Sequence, residues 1–264
     1  MPWDMFSPNP ARTSECRLIS NPSWNSFALS PRLAGDEIHI WRARLDLAQD
    51  QIETFSAYLS PDEKERARRY KFETDRNRFI CCRGILRAIV SRYLDVEPVQ
   101  IEFEYGTYGK PGVKMSAAEK VLNFNLSHSH GLALYGVAWN REIGIDLEYV
   151  RPVMDADGVV GRYFSTEERA FYQSVSPEKK REEFFNLWTV KEACLKAVGL
   201  GLSHLPNRLE LPAVKDSSAP LETEGFFSKN CSWSLYRLRP KSTYVAAIAF
   251  APPGSRFGFW KFSC

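Results

Sequence analysis

The sequence predicts an α+β protein assembled from two copies of one unit, and three observations lead there. A serine-capped helix start, LSPDEKERARRY at Leu59, has a counterpart in FSTEERAFYQ at Phe164. Each leads into a long amphipathic stretch, residues 78–94 in the first case and 184–202 in the second. Short apolar segments of strand character lie between and after these stretches, separated by Gly, Pro, Asn and Ser. Two copies make a duplication rather than a solenoid, and the cleft between related halves is where a ligand is expected.

The elements follow in order. Residues 1–35 are rich in Pro, Ser and Asn without periodicity and read as an extended arm, with Trp3, Phe6 and Trp24 available to pack on the body. EIHIWRARLD, residues 37–46, alternates apolar and polar positions as a half-buried strand does. Ser60, Pro61 and Glu63 supply the cap, the first-turn proline and the returning carboxylate of a capping box. In residues 78–94, Phe79, Cys82, Leu86, Ile89 and Val90 recur at helical spacing as a core face, leaving Arg83 and Arg87 on a neighbouring face. Residues 101–105 read as a short strand, and YGTYGKP after it as a turn.

Residues 121–126, 132–139 and 143–150 then read as three largely antiparallel strands. A pliable segment follows Pro152, then a second capping box at Ser165 and Glu168, a break near Ser176 and Pro177, and the helix FFNLWTVKEACLKAVGLGL, which stops on Gly199 and Gly201. Residues 208–211, 231–238, 244–251 and 257–262 read as strands of a second small sheet. The division expected is an arm at 1–35, one α+β half at 36–140 and the other at 141–264.

An apolar share of 44 % with 25 % charged residues suits a globular protein with a sizeable core. The six cysteines form no CxxC pair and no zinc-like spacing with the four histidines, which argues for a reducing cytosol rather than a disulfide framework or structural metal. The first residues lack the basic start and apolar block of a secretory leader, and no apolar run approaches the roughly 18 residues of a membrane span, so a cytoplasmic protein is expected. The net charge of +3 is unevenly spread: residues 64–92 hold ten basic and three acidic side chains, a patch able to meet an anion. A non-catalytic basic module for nucleic acid or an acidic partner would use that patch too.

Asp146 and Glu148 in GIDLEYV sit at i and i+2, so on a strand both carboxylates point to one side, an arrangement suited to a hard cation that prefers oxygen ligands. Glu192 and Lys196 share one helical face four residues apart. Taken singly, each pair is more often an exposed strand face or a solvated helix pair. Ser127, His128, Ser129 and His130 follow a strand and could meet phosphate through hydroxyls and an imidazole or equally be a polar strand end, and Lys110 stands on a turn between Gly109 and Pro111, as a held cation or a surface lysine. Cys81 and Cys82 fall on or near the apolar helix face, with no histidine close in sequence to activate them. No Walker loop, dinucleotide glycine fingerprint or GxSxG elbow is present.

Taken in order, YGKP at Tyr108, FNLSHS at Phe124, GIDLE at Gly144, and WTVKEACLKA at Trp188 with GLGL at Gly199 closely resemble the 4′-phosphopantetheinyl transferases. The likeness runs over residues 59–202 and is nearest the large monomeric type represented by the surfactin synthetase activator. It implies a pseudo-twofold dimer of two similar α+β subdomains with the active site in the cleft between them. It implies transfer of the phosphopantetheine arm of coenzyme A to a serine of apo acyl, peptidyl or polyketide carrier proteins, with release of adenosine 3′,5′-bisphosphate.

By the same resemblance, Asp146, Glu148 and Glu192 are the ligands of a Mg²⁺ ion, for which Mn²⁺ can substitute, and Glu192 is the base for the carrier serine, directly or through water. Lys196 holds the pyrophosphate; Lys110, His128 and Ser127 hold the 3′-phosphate and adenosine end; Arg78, Arg83 and Arg66 assist. Leu147 stands where some relatives have a side chain that reaches the metal, so a water takes that position here. The implied partners are carriers of fatty-acid, polyketide and nonribosomal peptide biosynthesis, docking at residues 152–164, with no nucleic acid, no membrane and a monomeric enzyme.

Overall fold

The fold comes from a computed structural model that describes residues 17–19, 22–26, 32–114, 120–200, 221–224, 232–251 and 255–263. Trp3, Phe6, Gly201 and the strand expected at 208–211 lie outside the described residues. The first half runs β1 (Arg17–Ile19), β2 (Asn25–Ser26), β3 (Glu37–Arg44), α1 (Gln49–Tyr58), α2 (Pro61–Arg68), α3 (Glu73–Leu94), β4 (Phe103–Tyr105), β5 (Pro111–Val113), β6 (Leu122–Ser129) and β7 (Leu132–Trp139). The second runs β8 (Glu142–Tyr149), α4 (Ala156–Tyr163), α5 (Thr166–Ser174), α6 (Pro177–Val198), β9 (Leu221–Glu224), β10 (Ser232–Lys241), β11 (Tyr244–Ala251) and β12 (Arg256–Lys261). No helix among the described residues is long and apolar enough to cross a membrane.

Two sheets stack face to face. One has the order β2-β12-β3-β7-β6, the other β1-β10-β11-β8 with β9 paired to β10. Period-two alternation sorts their side chains. Ile38 and Ile40 of β3, Leu132 and Leu134 of β7, Ile143, Ile145 and Leu147 of β8, and Ile248 and Phe250 of β11 fill the space between the sheets. Their alternates face helices. Trp41, Ala133 and Tyr135 pack with Ile85 and Ile89 of α3, while Ala247 and Ala249 pack with Val190, Ala193 and Ala197 of α6. The result is helix, sheet, sheet, helix, with a 22-residue helix on each outer side.

Two strand placements change, and the arm packs through Trp24 as expected. The segment 143–150 does not continue the antiparallel run of β6 and β7; as β8 it crosses to the second sheet and pairs with β11. The last strand goes the other way: β12 joins the first sheet, parallel to both β2 and β3, instead of completing a C-terminal sheet. The arm is tied in, since β1 pairs parallel to β10 and Trp24 meets Phe259 edge to face, with centroids 5.4 Å apart. Each half therefore lends a terminal strand to the other's sheet. The segment read as pliable contains α4, capped by Asp155, whose carboxylate accepts from the Gly158 amide.

Candidate active site at the seam between the sheets

β6 and β8 are the facing edges of the two sheets, and they are joined by side chains rather than by a backbone ladder. Asn125, Ser127 and Ser129 lie on one side of β6 by strand alternation. Asn125 Oδ1 accepts from the Ile145 amide at 2.9 Å, and Ser129 Oγ accepts from the Tyr149 amide at 3.1 Å. Ser127 donates to Asp146 Oδ1 at 2.9 Å, and Ser129 to Glu148 Oε2 at 2.8 Å. Edge amides that would otherwise be unsatisfied are thus met, and two carboxylates are aimed.

Gly144, Asp146 and Glu148 share the face of β8 that looks toward α6. A Cβ on Gly144 would lie 2.0 Å from the Ala193 carbonyl oxygen and 2.2 Å from the Ala197 nitrogen, so only glycine lets helix and strand approach this closely. The approach carries Lys196 Nζ to 2.6 Å from Asp146 Oδ1 and 3.0 Å from Ser127 Oγ. Leu147, alternating away, points into the inter-sheet core. One turn before Lys196, Glu192 stands close enough to feel Asp146 and Glu148: burial, then the Asp146 charge, lift its pKa to about 7. Burial and Asp146 raise Glu148 too.

Three carboxylates against one ammonium is an unbalanced set, and it is incompletely satisfied. Asp146 Oδ2 and Glu192 Oε1 are buried without a hydrogen-bond partner. Among the described residues no three groups already form a metal cage. The donor set nonetheless fits a hard cation: all oxygen, mutually repelling and with orphaned buried atoms, as a divalent ion completed by water and substrate phosphate requires.

The other expected site residues divide. Lys110, on the turn before β5, donates to the Ala197 carbonyl at the end of α6 (2.7 Å) and to Glu142 Oε2 (3.0 Å), so it ties the YGKP turn to the same helix end that carries Lys196. His128, at the end of β6, keeps part of its surface open to solvent while its ring lies against the protein; desolvation of the ring, then the Lys196 and Arg78 charges, hold its pKa below the ordinary imidazole value, which brings all three into one neighbourhood. Arg78 donates twice to Asp46. Arg66 is exposed on α2 over the Phe79 ring. Arg83 is drawn elsewhere: it is 8 % exposed, and its guanidinium donates to Glu63 (2.6 Å) and the Tyr105 hydroxyl (3.1 Å), so it is not available to a ligand as expected.

Asn125, Glu142 and the Glu168–Lys191 pair do not stand out in the sequence, and Ser129 stands out there only as a hydroxyl for phosphate, not as a partner of Glu148. Asn125 and Ser129 carry a usable signal, since they share the alternation of Ser127. Lys191 Nζ lies 2.8 Å from Glu168 Oε2, both almost wholly buried, and this locks α6 in the rotation that turns the next residue, Glu192, to the seam. Glu168 is the returning carboxylate of the second capping box, accepting from the Ser165 amide at 2.7 Å.

Residues 142–249 match the profile of the 4′-phosphopantetheinyl transferase superfamily, and residues 45–137 match that of the 4′-phosphopantetheinyl transferase N-terminal region. The chain is similar to 4′-phosphopantetheinyl transferase HetI of Nostoc sp. (strain PCC 7120), 43 % identical over 87 % of this chain and 94 % of that one. It is also similar to 4′-phosphopantetheinyl transferase Sfp of Bacillus subtilis (strain 168), 27 % identical over 78 % of this chain and 88 % of that one. A phosphopantetheinyl transferase of Thraustochytrium sp. is 30 % identical over 73 % of this chain and 70 % of its own. With both halves matched and the seam uniting the motif residues of each, this chain belongs to the 4′-phosphopantetheinyl transferase superfamily and is an enzyme of its surfactin-synthetase-activator type.

Proposed function

We propose that the seam between β6, β8 and α6 is where this transferase moves the phosphopantetheine arm of coenzyme A onto a carrier serine. The observation that carries the reading is the triad of carboxylates facing one lysine across the two halves, with Asp146 Oδ2 and Glu192 Oε1 buried and unpartnered. The serine oxygen attacks the phosphorus that bears the pantetheine arm, the new P–O bond forms, and the bond to the bridging oxygen breaks. Adenosine 3′,5′-bisphosphate leaves with that oxygen, and the serine proton passes to a base.

Glu192 is the group placed to take that proton, directly or through water; in the metal-free chain burial and the Asp146 charge lift its pKa to about 7, and a bound cation lowers it. Lys196, which reaches the seam beside Asp146 and Ser127, neutralises charge on the pyrophosphate. His128 and Arg78 meet the nucleotide phosphate, and Lys110 holds the turn and the end of α6 in register. Asp146, Glu148 and Glu192 would hold Mg²⁺ or Mn²⁺, which supplies charge neutralisation at the pyrophosphate oxygens. Ser127 and Ser129 keep two of those carboxylates turned to the seam.

The carrier is proposed to dock on residues 152–164. Met154 there is fully exposed, while Val160 is 4 % exposed and belongs to the core beneath α4. Met154→Asp is therefore the cleaner probe: KM for carrier rises several-fold and KM for coenzyme A stays within twofold. One chain supplies both halves, consistent with a monomeric enzyme. The decisive experiment is mass spectrometry of an apo-carrier incubated with the protein, coenzyme A and Mg²⁺. One phosphopantetheine is gained with wild type and none with Asp146→Asn or Glu192→Gln; near-normal turnover by both variants would sink the assignment. A basic module for nucleic acid loses support, because Arg83 and Arg87 of the expected patch are folded onto Glu63.

A further inference from the structure

Beyond Ser129 and Glu148, the far end of the seam opens into a recess of about 780 Å³. Its walls come from both halves: β3, α3, the turn between β6 and β7, the end of β8, the turn between β10 and β11, and the residues after β12. Lys196, Glu192 and Lys110 are not among them; those three line a separate pocket at the opposite end. Five cationic side chains, Arg42, Arg44, Arg78, Lys241 and Lys261, face this recess, with Asp46 as the single lining carboxylate among the described residues.

The charges there do not cancel internally. Asp46 is taken by Arg78 in hydrogen bonds of 2.7 and 3.2 Å. Arg42 donates to the Pro240 carbonyl and stacks over Trp24 at 4.5 Å, which leaves it structural. Arg44, Lys241 and Lys261 make no side-chain hydrogen bond or ion pair among the described residues. Three unneutralised cations converging on one concavity repel one another, a standing cost unless an anion from outside meets them. Aromatic rings form one wall: His130 lies on Tyr149 with centroids 4.4 Å apart, and Tyr244 meets Tyr149 edge to face at 5.2 Å.

We propose that this recess is a second anion site, distinct from the pyrophosphate seat at Lys196, which takes a phosphate-bearing small molecule through Arg44, Lys241 and Lys261. The volume lies within the roughly 300–1,000 Å³ typical of small-molecule sites, enough for a nucleotide-sized anion, and the Tyr149 and Tyr244 rings offer it an apolar wall. The phosphate could belong to the nucleotide end of coenzyme A or to a separate compound, and one set of titrations tells these apart.

The test is calorimetric titration at low ionic strength, with inorganic pyrophosphate as the probe, on protein carrying Lys196→Ala so that the seam no longer contributes. Pyrophosphate still binds this protein, and adding Arg44→Ser with Lys261→Ser weakens binding at least tenfold. All three cations are exposed, so unchanged melting temperatures are expected to accompany the loss. Absence of binding to the Lys196→Ala protein at millimolar pyrophosphate, or binding that ignores the two added substitutions, overturns the proposal. Coenzyme A and dephospho-coenzyme A are then compared on the Arg44→Ser/Lys261→Ser protein. Weakening confined to coenzyme A assigns the recess to its 3′-phosphate, and no weakening of either assigns it to a separate phosphate compound. Because the readout is binding of pyrophosphate, failure here leaves the transferase reading untouched.

Discussion

Two clusters of opposed charge, one in each half, pair carboxylates with basic side chains and behave in opposite ways. In the first, Glu63 is 2 % exposed and fully engaged: Arg83 donates to Oε1, and Arg87 and the Ser60 amide donate to Oε2. Arg87 Nη1 also donates to the Ile101 and Pro98 carbonyls. Burial pushes the Glu63 pKa up, but the two guanidinium groups outweigh it and the net shift is downward. In the second, three carboxylates share one lysine, two buried oxygens have no partner, and Glu148 and Glu192 are both shifted upward. Charge balance and saturation of lone pairs separate a cluster that holds the fold from one that holds a ligand.

The sharpest way to break the comparison is to remove one member from each cluster. Arg87→Ala leaves Glu63 half paired at full burial, and the expected loss is about 3–5 kcal/mol in urea unfolding. The sign with pH follows from the depressed Glu63: its contribution is present above the ordinary carboxylate value and is lost as pH falls through the lower folded one. The gap between wild type and Arg87→Ala should therefore narrow below about pH 4.5. Arg83→Met sharpens the point, since stability should fall while KM for coenzyme A stays within twofold. A KM rise with stability intact would return Arg83 to the ligand.

Glu192→Gln should do the reverse. Turnover falls at least about 100-fold, the usual scale for losing a positioned base, while the protein without metal becomes more stable at pH 8. Here the pKa is raised, so the contribution of Glu192 to stability is present below the unfolded carboxylate value and lost as pH rises through about 7. In chelator, wild type should lose melting temperature relative to Glu192→Gln between pH 5 and pH 8. Parallel curves would mean that Glu192 is not crowded by Asp146 and Glu148.

What the sequence made legible follows the same division. Helices α2, α3, α5 and α6 announce themselves by caps and 3.6-residue spacing, and the seam carboxylates by strand and helix periodicity, because those signals are local. The resemblance sets Arg83 toward coenzyme A, whereas the fold turns it to Glu63 of another helix, a partner that neither resemblance nor spacing reveals. The crossing of β8 and β12 to opposite sheets is a choice of long-range partner, to which alternation within a strand is blind. Helix α1 has only Ile52 and Phe55 buried and leans on Gly84 of α3, where a Cβ would fall 2.4 Å from that of Phe55. Its existence depends on that contact more than on its own pattern.

Ser129 offers the smallest and most discriminating perturbation. It is not charged, makes no hydrogen bond to Lys196, and would pass as a strand-end serine, yet its hydroxyl donates to Glu148 and accepts from the Tyr149 amide. Ser129→Ala removes both bonds at a stability loss of about 1 kcal/mol, the usual net for a part-buried hydrogen bond. If Glu148 is a metal ligand, the larger effect is on the cation: freed of its partner, the carboxylate rotates, and the Mg²⁺ concentration for half-maximal turnover rises about tenfold, as for other residues that orient metal ligands. KM for coenzyme A at saturating Mg²⁺ should hardly move. A purely structural serine would lower stability without moving the Mg²⁺ requirement, so the two measurements on one variant decide whether the polar stitching of β6 to β8 serves the fold alone or also aims the site.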